Sequence, residues 1–267
     1  MITVSNLSDP RRLPRRSAGS VRVASLDVEW TKNYRIKNGN RAFCFSLAML
    51  DLPSSTTAVA LAQLPFTYVS MYVEDTGETG QLVAAAARTV AQAFEHADLV
   101  TGHQLCSDLA VLVANRTDHE PALDTARAAW KDRRLQQPAR PRILDTRYDA
   151  GHLLDGTSRR LVDVCEELRL DVTQPELRST SMTNLHRRWL EKGDAEARER
   201  VSVLNLRHSL STALVAVAAA DLTSWGELGL NVNRMIAAQT EGAWGWLQSR
   251  TFQDLLGESC PSETATS

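Results

Sequence analysis

The pattern of apolar and polar positions divides the chain into strand-like segments first and helix-like segments later. Three segments rich in aromatic and β-branched residues predict strands: VRVASLDVEW (21–30), RAFCFSLAML (41–50) and FTYVSMYVED (66–75). An alanine-rich segment with apolar residues at helical spacing then predicts a long helix over 79–97. Two further apolar segments predict strands that alternate with helices: DLVTGH (98–103) and RILDTRYDA (142–150). The remainder is mainly helical in pattern.

This order of elements predicts the fold class. A meander of three strands followed by alternating helices and strands is typical of an α/β fold, with a mixed sheet covered by helices. The chain shows no internal repeat, and its 43% hydrophobic content is sufficient for a substantial core. We therefore expect one domain over residues 21–250. A basic segment at 1–20 and a polar segment at 251–267 are expected to be disordered tails.

Composition narrows the cellular setting more than the function. The four cysteines form no C-x-x-C pair, which favours reduced thiols of a cytoplasmic protein over a disulfide framework or a zinc site. No apolar run in the sequence approaches the ~20 residues of a membrane span, so we expect no membrane association. The net charge of −2 leaves nucleic-acid binding open, because a local basic patch is enough for it.

Two carboxylates lie within the first predicted strand. Asp27 and Glu29 are two residues apart, so both side chains lie on the same face of a strand. Like charges there repel and are costly to bury, unless a cation lies between them. Mg²⁺ takes hard oxygen ligands of this kind. A D-x-E pair is also common on an exposed strand face, so this pair alone is a weak signal.

A third carboxylate follows the fourth predicted strand. Asp108 lies in the first turns of the helix that begins near Cys106, where the helix dipole favours an acidic side chain. Its neighbours are apolar, which predicts a closely packed helix. A charge in that setting is better explained by a cation or another partner.

These segments resemble two motifs of the DEDD family of 3′–5′ exonucleases, which includes the proofreading domains of DNA polymerases and the RNase D-like enzymes. Asp27 and Glu29 match the D-x-E of the first motif. In the second motif, Gln104 occupies the place of an Asn and Asp108 that of an Asp four residues later. The resemblance covers residues 21–222. It implies an RNase H-like fold and metal-dependent phosphodiester hydrolysis, with Mg²⁺ or Mn²⁺ as cofactor.

The third motif of that family is altered in this sequence. The family has a final catalytic Asp on a late helix, preceded by a Tyr four residues earlier or by a His five residues earlier. One alignment places His208 at the Asp position and Leu204 at the Tyr position, whereas the other places Ala213 at the Asp position. Either way the fourth carboxylate is missing. We expect His208 to be a replacement ligand or a general base, with helix capping or packing as the alternative. Asp145 is another possible replacement acid, or a turn carboxylate.

Basic and aromatic residues follow the D-x-E pair. The loop WTKNYRIKNGNR interleaves the two types, as single-stranded nucleic-acid sites do, although an ordinary polar loop has the same composition. The residues assigned to nucleic-acid contact are Trp30, Lys32, Tyr34, Arg35, His103 and Gln104.

The sequence therefore predicts a hydrolase, a metal-dependent 3′–5′ exonuclease that acts on single-stranded DNA or RNA 3′ ends. Asp27, Glu29 and Asp108 would hold the metal ions, and His208 would complete the catalytic set. The alternative is a catalytically degenerate exonuclease fold that binds nucleic acid or another protein without cutting. The altered third motif favours this alternative, whereas the three carboxylates favour the enzyme.

Overall fold

A six-stranded mixed sheet forms the centre of the fold in the computed structural model, which describes residues 1–16, 18–31, 39–53, 61–135, 141–223 and 229–257. The strands are β1 (Ile2–Ser5), β2 (Ser20–Thr31), β3 (Arg41–Pro53), β4 (Phe66–Tyr72), β5 (Leu99–Gly102) and β6 (Arg142–Asp145). Their order across the sheet is β1-β4-β3-β2-β5-β6. The pairs from β1 to β2 are antiparallel, whereas β2, β5 and β6 are parallel. A second sheet pairs β7 (Leu170–Asp171) with β8 (Leu230–Asn231).

Helices cover both faces of the central sheet. They are α1 (Thr79–His96), α2 (Leu105–Asn115), α3 (Pro121–Asp132), α4 (Thr146–Asp149), α5 (Leu161–Glu167), α6 (Met182–Lys192), α7 (Ala195–Ala219), α8 (Val232–Gln239) and α9 (Arg250–Gln253). Alternate strand residues enter two apolar cores: Leu26 lies with α1 and α2, whereas Val23 lies with α7 and α8. The expected fold class is confirmed, because this α/β sheet flanked by helices is consistent with an RNase H-like fold.

Helix α7 lies across the centre of the sheet and contacts β2, β3, β4 and β5. The Asp194 side chain caps it by accepting a hydrogen bond from the Ala197 N–H at 3.0 Å. Among the described residues, α7 is the one helix long and apolar enough to cross a membrane. However, 89% of its most apolar window is buried inside the protein, as expected for a core helix, so this is weak evidence for a membrane span.

Small polar side chains join α7 to the sheet. The Ser46 hydroxyl on β3 donates to the Asn205 carbonyl oxygen at 3.0 Å and lies 2.7 Å from the Ser209 hydroxyl. All three residues are fully buried. Because no large side chain separates them, the helix backbone approaches the sheet closely at this point. The next polar residues of α7 are thereby brought within hydrogen-bond distance of β2.

The expected tails are wrong in part. Residues 1–20 were expected to be disordered, but Ile2–Ser5 forms the edge strand β1. Leu13 is buried, and its N–H donates to the Gln92 side chain at 2.7 Å. The basic residues and prolines of this segment favoured a prediction of disorder, although Ile2–Ser5 and Leu13 are held by contacts with the folded domain. At the other end, α9 buries Phe252 completely, so the tail expected from 251 begins too early. Residues 258–267 lie outside the described part of the chain.

A buried ion pair fixes α7 to the turn that precedes α6. Arg207 and Glu176 are both fully buried and form two hydrogen bonds, of 2.8 and 2.7 Å. Asn233 accepts a further bond from the guanidinium at 2.6 Å, and the Trp246 indole donates to Glu176 at 3.2 Å. The hydrogen bonds compensate for the desolvation of both charges.

Arg207→Met should lower the free energy of unfolding by about 3–5 kcal/mol, because it leaves the Glu176 carboxylate buried without its cation. The double variant Arg207→Met/Glu176→Leu should be less destabilised than this single variant, since it removes both charges. Urea unfolding measures both values. Arg160→Met breaks a solvated pair with Asp163 and is the control, expected within about 1 kcal/mol of the parent protein. If Arg207→Met lowers the free energy of unfolding no more than Arg160→Met does, the buried ion pair does not stabilise the fold as expected.

Candidate metal centre

Strand β2 directs Asp27 and Glu29 toward α7. In the strand register Asp27 lies opposite Ser46 and Glu29 lies opposite Cys44, and both partners contact Asn205 of α7. The pairing is displaced immediately after Glu29, so a β-bulge ends the regular part of the strand there. The two carboxylates therefore lie between the sheet and its central helix.

Helix α7 places two polar side chains against these carboxylates. Asn205 and His208 are three residues apart, so they are neighbours on one helix face. The Asn205 amide donates to Asp27 Oδ2 at 2.6 Å. His208 Nδ1 lies 3.5 Å from the same oxygen and 3.3 Å from Glu29 Oε1. One ligand atom from each of Asp27, Glu29 and His208 lies within 4.8 Å of the others.

Asp108 adds a third carboxylate from the first turn of α2. Its side chain is only 2% exposed, and Oδ2 has no hydrogen-bond partner among the described residues. Burial raises the pKa of Asp108 well above its ordinary value, and the charges of Asp27 and Glu29 raise it further. These charges act on Asp108 because all three carboxyls converge on one region. A buried carboxyl oxygen without a partner is costly, and a bound cation would relieve that cost.

The loop before α2 sets the position of Asp108. Gln104 has a left-handed backbone, with φ of 68°, which is uncommon for a residue other than glycine. Its N–H donates to Asp145 Oδ1 at 2.9 Å. The Trp130 indole donates to the other oxygen of Asp145 at 2.8 Å. Both oxygens of Asp145 are thus used in holding the loop, so Asp145 acts as a turn carboxylate and not as the replacement acid.

The preceding loop residue, His103, is also held by the protein. Its Nδ1 lies 2.9 Å from the Thr146 hydroxyl, and its Nε2 lies 2.9 Å from the Arg159 carbonyl oxygen. Burial lowers the pKa of His103 to about 4. A neutral ring that donates from Nε2 and accepts at Nδ1 satisfies both contacts. His103 therefore fixes the strand end beside the cluster.

Charge within the cluster is balanced through His208. Burial lowers the pKa of His208, but its hydrogen bonds to Asp27 and Glu29 and their charges outweigh burial and raise it to about 10. Burial raises the pKa of Glu29 to about 7, against the opposing effect of the His208 imidazolium. His208 is therefore an internal cation for the carboxylates of β2. Its Nε2 lies 3.0 Å from the Gln174 amide, which can present its oxygen to a protonated ring.

The donor set fits a divalent cation. Ligand atoms about 2.0–2.2 Å from a common ion lie within about 4.4 Å of one another, close to the spacing of the Asp27, Glu29 and His208 atoms. Carboxylate oxygens suit Mg²⁺ and Mn²⁺, whereas an imidazole nitrogen favours transition metal ions over Mg²⁺. Burial and the neighbouring charges raise the pKa of Glu29 and of Asp108, so these carboxyls hold protons more tightly in the metal-free protein, and a bound divalent cation would favour their ionised forms.

The structure brings together most of the site residues that the sequence singled out. Asp27, Glu29 and His208 form one cluster, and Asp108 lies close enough to sense its charge. Trp30 is half-buried and packs against the core that contains α1. Its expected nucleic-acid contact remains a prediction, as do those of His103 and Gln104. The other residues assigned to nucleic-acid contact, Lys32, Tyr34 and Arg35, lie outside the described residues.

Sequence reasoning missed Asn205 and Gln174, although one signal was available. Asn205 precedes His208 by one helical turn, so a helix prediction alone would have placed both on one face. Gln174 approaches from a distant turn and left no such signal. Of the two positions considered for a fourth acid, Ala213 lies in the apolar core, whereas His208 faces Asp27 and Glu29.

In the absence of added metal, the stability of the protein should fall as pH rises from 8 to 10. His208 holds its proton more tightly in the folded chain, so its stabilising contribution is complete below its ordinary pKa of 6.5. The contribution is lost as pH rises through about 10. His208→Gln should flatten the decrease in melting temperature over this range, measured in EDTA. His152→Gln, at an exposed position, is the control and should retain it. If melting temperature falls with pH equally steeply in His208→Gln and in the parent protein, His208 is not an internal cation for the carboxylates.

Comparison with known proteins gives no family assignment for this arrangement. The chain matches no protein-family model, and no curated protein sequence matches it.

Proposed function

We propose that this protein is a metal-dependent 3′–5′ exonuclease that hydrolyses the terminal phosphodiester of single-stranded nucleic acid. The observation that carries the proposal is Asp108. It is a buried carboxyl with an unpartnered oxygen, close to a second buried carboxyl and to a third that is mostly buried. Such a concentration of acids is unfavourable for folding alone, but it is what divalent-cation chemistry on phosphates requires.

Each residue of the cluster has a distinct task in this proposal. Asp27, Glu29 and Asp108 would hold the cation, and Asn205 orients the Asp27 carboxylate through its 2.6 Å hydrogen bond. A bound divalent cation would supply Lewis-acid stabilisation of the charge that develops on the phosphate oxygens. His208 would serve as a ligand in place of the fourth carboxylate, or would accept a proton from the attacking water.

His208 also makes metal binding depend on pH. A ring nitrogen must lose its proton before it can bind a cation, so proton and metal compete at this residue. With its pKa raised to about 10, His208 is protonated at neutral pH in the metal-free protein. Metal affinity should accordingly increase as pH rises, and binding should release a proton.

A second candidate function is a binding module that holds nucleic-acid ends or another protein without cutting them. The observation in its favour is that protein groups already satisfy part of the cluster. Asn205 donates to Asp27, and the His208 imidazolium lies between Asp27 and Glu29. A site that no longer binds metal would be stabilised in this way. The unpartnered Asp108 oxygen is what favours the enzyme over this alternative.

Purified protein should shorten 5′-labelled single-stranded DNA or RNA stepwise from the 3′ end when Mn²⁺ is present. Asp27→Asn and Asp108→Asn should each lower the rate by at least about 10²-fold, the scale of removing one charge-stabilising group from an active site. Asp118→Asn, at an exposed carboxylate between α2 and α3, is the matched control and should retain full activity. Gel electrophoresis of the labelled products measures all four proteins. If the folded parent protein binds the strands but leaves them intact, the exonuclease proposal is wrong and the binding module is supported.

His208→Asp should shift the metal preference from Mn²⁺ toward Mg²⁺, because it replaces an imidazole nitrogen by a hard carboxylate oxygen. The shift should be visible in the increase of melting temperature caused by each metal, and in the ratio of nuclease rates with the two metals. His152→Asp is the control, because His152 is exposed and does not belong to the cluster. If His208→Asp leaves the Mn²⁺-to-Mg²⁺ ratio of the parent protein unchanged in both measurements, His208 is not a metal ligand.

A further inference from the structure

A cavity of about 380 Å³, lined by apolar surface and by several polar side chains, lies at the end of β2 that follows the candidate metal centre. One wall is formed by the ends of β2 and β3, and the other by helix α6. The lining residues used below are Thr31, Arg41, Phe43, Thr183, His186 and Arg187. None of them belongs to the Asp27, Glu29 and His208 cluster. The cavity is therefore a separate site, with its own chemistry.

Strand geometry places this cavity next to the carboxylates. Thr31 follows Glu29 by two residues on β2, a separation of about 7 Å along a strand. Arg41 lies directly opposite Thr31 on β3. The cavity lining therefore begins two residues along β2 from Glu29.

The charged side chains that line the cavity give it a net positive charge. Arg41 and Arg187 are both exposed, and neither forms an ion pair with a carboxylate in the part of the chain that the structure describes. Glu191 also lines the cavity, at the far end of the α6 wall. With two guanidinium groups against one carboxylate, the lining is net positive. Guanidinium groups bind phosphate oxygens through paired hydrogen bonds.

One face of α6 adds hydrogen-bond donors to this charge. Thr183, Arg187 and Glu191 follow one another at four-residue intervals, so they form a single row along the helix. The Thr183 hydroxyl lies at the N-terminal end of that row, and Thr31 contributes a second hydroxyl from β2. Hydroxyl and guanidinium groups together are typical of contacts to nucleic-acid backbone phosphates and sugars.

The inner end of the cavity is rigid and uncharged. The His186 ring stacks on Phe43, with ring centroids 4.0 Å apart and an interplanar angle of 9°. The Tyr72 hydroxyl lies 3.0 Å from His186 Nδ1. Burial lowers the pKa of His186 to about 4, so the ring is neutral near pH 7 and cannot itself supply a cation. When Tyr72 donates to Nδ1, the remaining proton lies on Nε2 and is available as a hydrogen-bond donor.

We propose that this cavity binds a backbone phosphate of a single-stranded nucleic acid whose 3′ end lies at the candidate metal centre. The proposal rests on the proposed function for the identity of the ligand. The Phe43 ring is 1% exposed and the His186 ring is 4% exposed, so neither offers a free face on which a base could stack. Recognition is therefore of phosphate and sugar, independent of base sequence. The cavity holds the strand in place while the cluster acts on its end.

The test is equilibrium binding of a fluorescein-labelled twelve-nucleotide thymidine strand, measured by anisotropy in EDTA so that no cleavage occurs. Arg41→Gln and Arg187→Gln remove the charges from exposed positions and should leave the fold intact. Each should weaken binding several-fold and reduce the slope of log affinity against log salt by about 0.7, the value for one lost phosphate contact on a single strand. The double variant should lose about twice that slope.

The matched control is Arg88→Gln, on α1. Position 88 is exposed and lies nine residues beyond Thr79, which lines the cavity, a distance of about 13 Å along the helix. This variant should bind like the parent protein.

An abasic strand of the same length should show the same loss of affinity with Arg41→Gln and Arg187→Gln, because the cavity contacts phosphate and not base. Competition with inorganic phosphate and with thymidine monophosphate distinguishes a backbone phosphate from a free anion, since only the strand should bind at micromolar concentration.

The outcomes separate this inference from the nuclease proposal. If the arginine variants lose strand affinity while the parent protein cuts nothing, the cavity binds phosphate and the enzyme assignment fails. If the parent protein degrades strands but both arginine variants bind them with unchanged affinity and salt slope, the cavity is not the phosphate site. Equal competition by free phosphate and by the strand would likewise overturn a strand-specific site.

Discussion

The arrangement of this protein depends on the burial of negative charge between a sheet and its central helix. Asp27 and Glu29 lie on the face of β2 that α7 covers, and Asp108 lies within the first turn of α2. Water is largely excluded from all three. Each carboxylate must then find a proton, a hydrogen-bond donor or a cation. The remaining polar features of this region, Asn205 and His208 above all, are responses to that requirement.

This requirement gives a physical account of the histidine that faces the carboxylates of β2. A carboxylate at position 208 would add repulsion that protonation or a bound cation would have to relieve. An imidazolium relieves part of the repulsion from within, as the raised pKa of His208 shows. The same group competes with any metal for the carboxylates. Stability of the metal-free protein and affinity for metal are thus opposed at His208, and pH sets the balance between them.

The sequence was sufficient to predict strands β2 to β6 and the fold class, because these have local or periodic signals. Segments rich in aromatic and β-branched residues identified β2, β3 and β4, and their order with the later helices implied the mixed sheet. Strand β1 was missed because four residues of edge strand are shorter than any reliable pattern, and a basic composition follows them. Asp145 is equally ambiguous in sequence. Only the contacts of its two oxygens, to Gln104 and Trp130, show that it supports a loop.

Features that combine segments far apart in the sequence could not be predicted from local patterns. The cavity beside the candidate metal centre combines the ends of β2 and β3 with one row of α6, about 150 residues further along the chain. Its position follows from packing, because α6 is joined to the sheet by the 3.0 Å hydrogen bond from the Trp189 indole to the Val73 carbonyl and by the stacking of His186 on Phe43. The same contacts that complete the core hold Arg187 opposite Arg41. The packing of α6 in the core and the position of Arg187 in the cavity lining are consequently two results of one helix placement, and a change that displaces α6 would alter both together.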